Sequence, residues 1–522
     1  MRFGSLFTAN QPKPENLFWP PVQSFVFADN PVWCVPSFRN TLNSESIGHD
    51  QLSKLSALLT ESLTPKSAHN CIITSCSVEI DNAIAAQEGY AIAVTPIAAS
   101  QSLSCSLKCS AIKGCIHGIY TIGQLLNHID SVIPSSGLHI SDYPDFPHRG
   151  VLLDTSRRFL PLHILKTHLD LLAHARMNVL HWHVTDDHSF PIQLSCCSNA
   201  TVYSHKEVYT AADVRELISY GNQRGVEVLI EIDMPGHLTS LTNGYPHLIG
   251  RASSGLDPTS EASYEFIDSL FSELVSDFGI NRLHVGGDET GGSWKTPAIK
   301  EWMAADPARP QNDEELIAYW ISRLSGIAAK KNISLVLWDD FLRETSKVGD
   351  WVDGKTWQVW LGNYDDAKRL AEEHKVIYSH QGAYYLDHLD LTWDTMFEQE
   401  LRPTGKLLGA ETCMWGEASD AINSVSRVWP RSAAVAARLW ANSKFSDNGR
   451  GNSSAAGVAL ARWICRMRAL GYGVDCLAML GKSISDPETP WIWGSDKLVW
   501  SCPQSDIVTE ISYPCFLITH TA

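Results

Sequence analysis

The chain has 522 residues, of which 41 are Lys or Arg and 58 are Asp or Glu, so its formal net charge is −17. A hydrophobic fraction of 44% and a charged fraction of 19% are ordinary for globular proteins and exclude disordered, collagen-like and coiled-coil chains. The acidic excess argues against nucleic acid and anionic membranes as partners, because both require a basic face. No apolar run reaches the roughly 18 residues that would predict a transmembrane helix.

The first quarter of the chain predicts a small α+β domain. Residues 91–95 have the pattern of a short strand, and residues 116–127 have apolar positions at helical spacing. Residues 133–148 are rich in turn formers and include three prolines, which predicts a connector. We therefore divide the chain into an accessory domain with its connector at residues 1–145 and a second domain with a C-terminal extension at residues 146–522.

Downstream of this boundary, short β-rich runs alternate with stretches of helical spacing. The predicted strands are residues 150–153, 179–183, 227–232, 283–286, 334–338, 357–360, 376–379 and 407–410, and helical examples are 162–177, 211–224, 264–278 and 316–330. Eight strands alternating with helices over roughly 250–300 residues predict a (β/α)8 barrel.

Polar and aromatic residues mark the ends of almost all these strands, where the active sites of such barrels are assembled. They are Arg157; His181, His183 and Asp186; His237; Asp288 and Glu289; Trp338; Trp360; Tyr385 and Asp387; and Trp415 and Glu417. The His-x-His of residues 181–183 is also typical of metal-dependent barrel hydrolases, so a metal site is one interpretation. A hydrogen-bonded wall that includes the neighbouring acids is another.

The most specific pattern is the acidic pair Asp288-Glu289, which follows two glycines at the end of the fourth predicted strand. Like charges in a partly dry cleft push their pKa values apart, leaving one carboxyl protonated and the other ionised. Glycoside cleavage needs an acid for the leaving oxygen and a negative charge facing the oxocarbenium-like centre. Aromatic residues at the later strand ends would supply the flat walls of a sugar pocket.

Together these segments resemble the family 20 glycoside hydrolases, the β-N-acetylhexosaminidases, and in particular their eukaryotic lysosomal and chitin-degrading members. The resemblance runs from about residue 142 to residue 440. It implies an exo-acting enzyme that removes terminal non-reducing β-linked GlcNAc or GalNAc from glycans or chitin oligosaccharides. It also implies a retaining, substrate-assisted mechanism with an oxazolinium intermediate.

The resemblance assigns catalytic roles to five residues of this sequence. Glu289 matches the general acid/base. Asp288 matches the carboxylate that orients the substrate's acetamide N–H and stabilises positive charge, and Tyr385 matches the hydroxyl that hydrogen-bonds the acetamide oxygen. Asp186 and His237 match a relay behind the general acid.

A further six residues match the substrate pocket of the family. Trp338, Trp360 and Trp415 match the box around the acetyl methyl group, and Arg157, Asp387 and Glu417 match groups that hold sugar hydroxyls. The resemblance implies neither a cofactor nor a metal. It implies a glycan substrate, a homodimer, and a lysosomal, vacuolar or extracellular location, although the N-terminus shows no secretory signal.

The sequence departs from the family pattern at two places that affect the interpretation. Ala437 stands where an acid usually precedes the arginine, here Arg438, so a supporting charge is lost. At the pair Asp387-His388, the resemblance implies a preference for neutral over sulfated substrates. A sugar-binding protein without catalysis remains an alternative, which the intact Asp288, Glu289 and Tyr385 oppose.

Cysteines and glycosylation sequons bear on the compartment. The 13 cysteines are an odd number, and Cys502 and Cys515 are spaced for a disulfide. The sequons are at Asn199, Asn332 and Asn452.

Overall fold

The computed structural model describes residues 18–27, 33–34, 36–38, 42–62, 71–97, 102–127, 133–134, 137–290, 292–345, 350–447, 449–475, 499–500 and 515–516. Cys502, one partner of the predicted Cys502–Cys515 disulfide, lies outside the described residues.

The N-terminal part of the chain forms a mixed sheet covered by two helices. Its strands are β1 (Ser24–Phe27), β2 (Trp33–Cys34), β3 (Pro36–Phe38), β4 (Leu42–Asn43), β5 (Cys71–Ile80), β6 (Tyr90–Pro96), β7 (Ser102–Cys109), β8 (Ile133–Pro134) and β9 (Leu138–Asp142); its helices are α1 (His49–Glu61) and α2 (Ile112–Asn127). The strand order is β1-β9-β6-β7-β5-β3, with β4 beside β5 and with β2 and β8 as a separate pair. Disulfides Cys76–Cys105 and Cys109–Cys115 join β5 to β7 and β7 to α2.

The stretch predicted as a connector contains a strand of this sheet. Residues Leu138–Asp142 form β9, which pairs antiparallel with β1 and β6. Alternate residues of β9 are buried, the period expected of a strand with one covered face. The turn formers that suggested a connector therefore bracket a strand, and the chain passes directly from Asp142 to the first barrel strand at His148.

The rest of the described chain is the predicted (β/α)8 barrel. Its strands are β10 (His148–Asp154), β11 (Val179–Thr185), β12 (Glu227–Ile232), β13 (Arg282–His284), β14 (Ser334–Trp338), β15 (Thr356–Val359), β16 (Lys375–Tyr378) and β17 (Leu407–Met414). They are parallel and close on themselves through β17 and β10. They are buried along most of their length, as parallel strands covered on both faces must be.

Helices surround the barrel and form its rim. They are α3 (Leu162–His174), α4 (Ala211–Gln223), α5 (Thr239–Thr242), α6 (Glu261–Phe278), α7 (Pro297–Ala304), α8 (Asp313–Lys330), α9 (Asp340–Arg343), α10 (Tyr364–Leu370), α11 (Gln381–Tyr384), α12 (Trp393–Phe397), α13 (Ser424–Val428), α14 (Arg431–Trp440), α15 (Asn442–Phe445) and α16 (Ser453–Ala469). Two short strand pairs, β18 (Ser446–Asp447) with β19 (Arg450–Gly451) and β20 (Val499–Trp500) with β21 (Cys515–Phe516), complete the described strands. None of the described helices is both long enough and apolar enough to cross a membrane.

Buried charges join the sheet to the amino end of the barrel. Asp142 accepts hydrogen bonds from Arg176 Nη1 (2.6 Å) and Trp440 Nε1 (2.9 Å). Glu88 is paired with Arg149 and lies 2.9 Å from His117 Nε2. These contacts connect residues before the barrel to the start of β10, to the segment that leads into β11 and to α14.

The missing acid beside Arg438 is compensated by backbone carbonyls. The buried guanidinium donates to the carbonyl oxygens of Phe397, Gln399 (3.1 Å) and Gly449 (2.8 Å). Burial lowers the pKa of Arg438 from its usual value.

Candidate active site

A row of polar side chains links the carboxyl ends of β11, β12 and β13. His237 Nδ1 lies 3.4 Å from Asp186 Oδ1, and His237 Nε2 lies 3.3 Å from Glu289 Oε2 and 3.6 Å from Asp288 Oδ2. The row continues inward, because Asp186 Oδ2 lies 2.9 Å from His183 Nε2. An imidazole thus bridges a buried carboxylate and the predicted catalytic pair.

This row of side chains, which matches the relay that the sequence predicts, contains both a cation and an anion. Burial alone would lower the pKa of His237, but hydrogen bonds to Asp186 and Glu289 and the nearby charge of Asp288 raise it well above its usual range. Burial would raise the pKa of Asp186, but hydrogen bonds from His183 and His237 lower it well below its usual range. His237 is therefore cationic and Asp186 anionic at neutral pH.

The end of β13 turns sharply before the acidic pair. Gly286 and Gly287 have φ of 61° and 96°, and a Cβ on Gly286 would lie 1.7 Å from Asp233 Oδ1. Glu289 also has a positive φ, 45°. A non-glycine residue held in this region is strained, and such strain is concentrated at functional sites. The turn buries Asp288 and leaves the Glu289 side chain 61% exposed.

Asp233 is a buried neighbour of Asp288. Oδ2 of Asp233 and Oδ1 of Asp288 are buried and have no hydrogen-bond donor among the described residues. Burial raises the pKa of Asp233 well above its usual range, and the charge of Asp288 raises it further. Burial likewise raises the pKa of Asp288, and the charge of His237 and a hydrogen bond with Asp233 oppose that rise.

Arg157 forms the second side of the site, just after β10. Its guanidinium contacts Asp154 Oδ2 (3.0 Å), Asp186 Oδ2 (2.9 Å) and Glu417 Oε1 (3.1 Å). It also lies over the Trp415 ring, 5.2 Å from the centroid, which is within the roughly 6 Å over which cation–π attraction acts. The Arg157 fork is thus held rigidly at the rim with donors next to the relay.

Four aromatic residues form a box beside the relay. Trp360 stacks on Tyr385 with ring centroids 6.2 Å apart and an interplanar angle of 10°. Trp415 lies 6.0 Å from Tyr385 and 6.1 Å from Trp338. Trp338 is fixed by a hydrogen bond from its Nε1 to Glu231 Oε1 (2.9 Å). Burial raises the pKa of the Tyr385 hydroxyl well above its usual range, so it remains a hydrogen-bond donor.

Asp387 and Glu417 close the rim on the side of β16 and β17. Asp387 Oδ1 is buried without a donor among the described residues, and burial raises the pKa of this carboxyl. The Glu417 side chain is largely exposed apart from its contact with Arg157. Both carboxylates are placed to accept hydrogen bonds from a polyhydroxylated ligand.

The structure brings together all eleven residues to which the family resemblance assigns a role. They are Asp186, His237, Asp288, Glu289 and Tyr385, with Arg157, Trp338, Trp360, Asp387, Trp415 and Glu417, and all lie at the carboxyl ends of barrel strands. Their contacts are as described above; their chemical roles remain predictions.

The His-x-His pair forms part of a buried hydrogen-bonded wall. His181 Nδ1 lies 2.6 Å from Glu411 Oε1, and His183 Nδ1 lies 2.6 Å from Glu231 Oε2. His181, Glu231 and His284 are close enough together to hold a metal ion. These contacts explain the pair without a metal, and chelation tests the alternative.

Sequence reasoning missed Asp340, which lies beneath the acidic pair. Its Oδ1 accepts a hydrogen bond from the backbone N–H of Glu289 (3.1 Å), and its Oδ2 accepts one from Trp360 Nε1 (2.7 Å). Burial and the charge of Asp288 raise the pKa of Asp340 to about 7. The only sequence signal is its place two residues after Trp338 at a strand end.

Comparison with known proteins identifies the family. The model described as "Glycosyl hydrolase family 20, catalytic domain" matches residues 146–443. Beta-hexosaminidase 1 of Arabidopsis thaliana is 32% identical over 364 residues, 66% of each chain. Human beta-hexosaminidase subunit beta is 32% identical over 420 residues, 76% of this chain and 73% of that protein.

The fold is shared with solved structures. A chitobiase from Flavobacterium johnsoniae superposes with a TM-score of 0.71 at 24% identity, over 88% of this chain and 74% of its own. The chain therefore belongs to glycosyl hydrolase family 20 and is a glycoside hydrolase. Within that family it groups with the β-N-acetylhexosaminidases.

Proposed function

We propose that the chain is an exo-acting β-N-acetylhexosaminidase that hydrolyses terminal non-reducing β-linked GlcNAc or GalNAc. The observation that carries this proposal is the contact of His237 with both Glu289 and Asp288, beside the aromatic box. An acid, a buried carboxylate and an aromatic pocket for an acyl group are the parts that substrate-assisted cleavage requires.

In the first step, the 2-acetamido oxygen of the substrate attacks the anomeric carbon while Glu289 protonates the leaving oxygen. Asp288 accepts a hydrogen bond from the acetamide N–H and stabilises the positive charge that develops. The Tyr385 hydroxyl donates to the acetamide oxygen, and Trp338, Trp360 and Trp415 enclose the methyl group. The oxazolinium intermediate then opens when Glu289 removes a proton from water, so the anomeric configuration is retained.

The proton for the first step is shared by Glu289 and His237. In the open site the hydrogen bond from His237 lowers the pKa of Glu289. An aglycone lying over the exposed carboxylate excludes water and raises that pKa, because desolvation disfavours the charged form. The Asp186–His237 contact keeps the proton in the site until the leaving oxygen takes it.

Sugar hydroxyls are held by Arg157, Asp387 and Glu417. The Asp387 carboxylate and the neighbouring Glu417 make this side acidic, which supports neutral sugars over 6-sulfated ones. Comparable turnover of sulfated and unsulfated aryl glycosides would contradict this preference.

The deciding experiment is hydrolysis of an aryl β-N-acetylglucosaminide by the wild type and by Glu289→Gln, with a metal chelator present. We expect turnover by the wild type and a loss of about 100-fold or more in the variant, since general acid catalysis contributes roughly 10²–10⁴-fold. Glu265→Gln, on the exposed face of α6, is the matched control and should retain full activity.

Each other outcome favours a different protein class. Loss of wild-type activity on chelation would favour a metal-dependent hydrolase using His181 and His183. A folded wild type that binds the sugar without turnover would favour a binding protein.

We further propose a lysosomal, vacuolar or extracellular location and a homodimer. The disulfides Cys76–Cys105 and Cys109–Cys115 support an oxidising compartment. The sequon residues Asn199 and Asn332 are exposed, as glycosylation requires. The dimer rests on the family resemblance, and light scattering of the purified protein tests it.

A further inference from the structure

We propose that Asp340 is a positioning residue. It holds the general acid and the wall of the acyl pocket in a fixed position relative to each other. Its carboxylate receives one hydrogen bond from the backbone of Glu289 and one from the side chain of Trp360. This inference rests on the proposed function, because it takes Glu289 as the acid and Trp360 as a wall of the acyl pocket.

The position of Asp340 in the fold allows it to join two strand ends. It is the first residue of α9 and lies two residues after the end of β14, whose neighbours in the barrel are β13 and β15. Glu289 follows β13 and Trp360 follows β15. A single buried carboxylate thus connects the loops on both sides of its own strand.

Trp360 is held to the same segment by a second contact. Its backbone N–H donates to Asp339 Oδ1 (3.0 Å), and Asp339 is itself paired with Arg343 Nε (2.7 Å). The backbone of Trp360 is therefore fixed by Asp339, whereas the orientation of its indole depends on Asp340. Because Trp360 stacks on Tyr385, the orientation of its indole also determines the position of the Tyr385 ring and hydroxyl.

The chemistry of the two contacts requires a carboxylate. Both partners are N–H donors, so the central group must offer two acceptor oxygens in fixed directions. An amide offers one oxygen and one NH₂ group, and the NH₂ would face an N–H of Glu289 or Trp360. Asp340→Asn therefore breaks one contact while keeping the size of the side chain.

The backbone contact at Glu289 has particular weight. Glu289 has a φ of 45°, which a residue with a side chain adopts at a cost in strain. A hydrogen bond on its N–H holds that conformation and so fixes the direction of the catalytic carboxyl. A misplacement of about 1 Å can cost roughly 100-fold in rate.

The test compares two leaving groups in wild type and Asp340→Asn. A 2,4-dinitrophenyl β-N-acetylglucosaminide needs little protonation of its leaving oxygen, whereas a 4-methoxyphenyl one depends on the general acid. We expect kcat/KM to fall about 100-fold for the methoxyphenyl substrate. For the dinitrophenyl substrate we expect a decrease several times smaller.

A second readout isolates the pocket. N-acetyl and N-butyryl substrates are compared, and we expect Asp340→Asn to narrow the preference for N-acetyl because the indole is no longer held. Trp360→Phe removes the indole N–H but keeps an aromatic face, so it should narrow the acyl preference without changing the response to the leaving group. Asp353→Asn, an exposed carboxylate outside the site, is the control that should change neither.

The outcomes separate the inference from the proposed function. A folded Asp340→Asn that loses activity equally on both leaving groups and keeps its acyl preference would show a merely structural role and overturn the inference. A wild type with no turnover of any β-N-acetylhexosaminide would refute the proposed function, and the inference with it. If Asp340→Asn fails to fold, Asp340→Glu takes its place, because it keeps both acceptor oxygens at a displaced position. We expect Asp340→Glu to show the same dependence on the leaving group with smaller losses. Equal losses on both leaving groups in that variant would also overturn the inference.

Discussion

At the scale of single residues, the Tyr385 hydroxyl tests the proposed mechanism most directly. We expect Tyr385→Phe to lower kcat by about 100-fold with a small change in KM, because the hydroxyl no longer holds the acetamide oxygen in position to attack the anomeric carbon. The ring remains stacked on Trp360, so the pocket keeps its shape. Steady-state kinetics on an aryl glycoside measure the effect.

The adjacent tyrosine supplies a matched control. Tyr384 is also buried, but it packs on Tyr378 and outside the box. Tyr384→Phe should keep kcat within about twofold. Equal losses in the two variants would contradict a specific role for the Tyr385 hydroxyl.

Asp186 controls how firmly the relay holds its proton. Replacement by Asn removes a negative charge next to His237 and so lowers the raised pKa of that imidazole. The His237–Glu289 pair then loses its proton at lower pH, and the alkaline limb of the profile of kcat/KM against pH moves to lower pH. Such a limb reports the pair as a coupled system.

The neighbouring acid tests whether proximity alone explains the shift. Asp187 is half exposed and 3.9 Å from His237 Nδ1. We expect Asp187→Asn to leave the alkaline limb close to that of the wild type. An Asp186→Asn profile that overlays the wild type would remove Asp186 from the relay.

A functional role could be predicted for a residue where the sequence around it forms a recognisable pattern. The acidic pair after two glycines and the aromatic residues at strand ends are visible in sequence because they are adjacent to predicted strands. Asp340 and Asp233 were not assigned roles, because an acid near a strand end gains a specific task only from partners far away in sequence. Asp340 meets Glu289 across 51 positions and Trp360 across 20.

At the scale of elements, the turn that follows β13 aims the acidic pair. Gly286→Ala would place a Cβ 1.7 Å from Asp233 Oδ1 at a φ of 61°. The turn must then shift, so we expect loss of nearly all activity together with a lower melting temperature. Thermal unfolding and kinetics of the purified variant measure both effects.

Gly326 in α8 provides the control for this substitution. A Cβ there meets no atom within 4 Å, and the backbone is helical. Gly326→Ala should leave activity unchanged and stabilise the protein by up to about 1 kcal/mol, because Ala is the better helix former. Full activity of Gly286→Ala would show that the turn tolerates a side chain.

The ends of helices and strands could be predicted where one feature of the sequence indicated them clearly. Residues 227–232 and 334–338 were predicted as strands and are the strands β12 and β14. The fourth strand was predicted to reach residue 286 but ends at His284, because the backbone turns at Gly286, whose N–H donates to His284 Nδ1. The helix predicted to end at residue 177 ends at His174, just before Arg176 takes a φ of 59°. Apolar periodicity does not mark such turns.

At the scale of the whole molecule, chemistry and stability occupy opposite ends of the barrel. The relay and the aromatic box lie at the carboxyl ends of the strands. Glu88 meets Arg149 and Asn178, which stand at the amino ends of β10 and β11. Residues at that face are expected to act on stability and not on catalysis. Glu88 therefore allows the two properties to be separated.

We expect Glu88→Gln to lower the free energy of unfolding by about 3–5 kcal/mol at neutral pH, since it leaves the buried Arg149 without its charged partner. Burial would raise the pKa of Glu88, but the charge of Arg149 and the hydrogen bond from His117 lower it well below its usual value. A carboxyl whose pKa is lowered by folding stabilises the protein above its unfolded pKa, near 4.3, and loses that contribution as the pH falls towards its folded pKa. The difference between wild type and variant should thus be largest at neutral pH and shrink below about pH 4.3.

Denaturant unfolding at a series of pH values measures this difference, with Glu45→Gln as the control. Glu45 is exposed on the same N-terminal part of the chain, so its replacement should change stability by less than about 0.5 kcal/mol. Below the melting temperature, Glu88→Gln should keep the wild-type kcat, because no residue of the site contacts Glu88 among the described residues. If the variant were stable but had a lower kcat, Glu88 would affect the site from the opposite end of the barrel. If its free energy of unfolding were unchanged, the Glu88–Arg149 pair would contribute nothing to joining the sheet to the barrel.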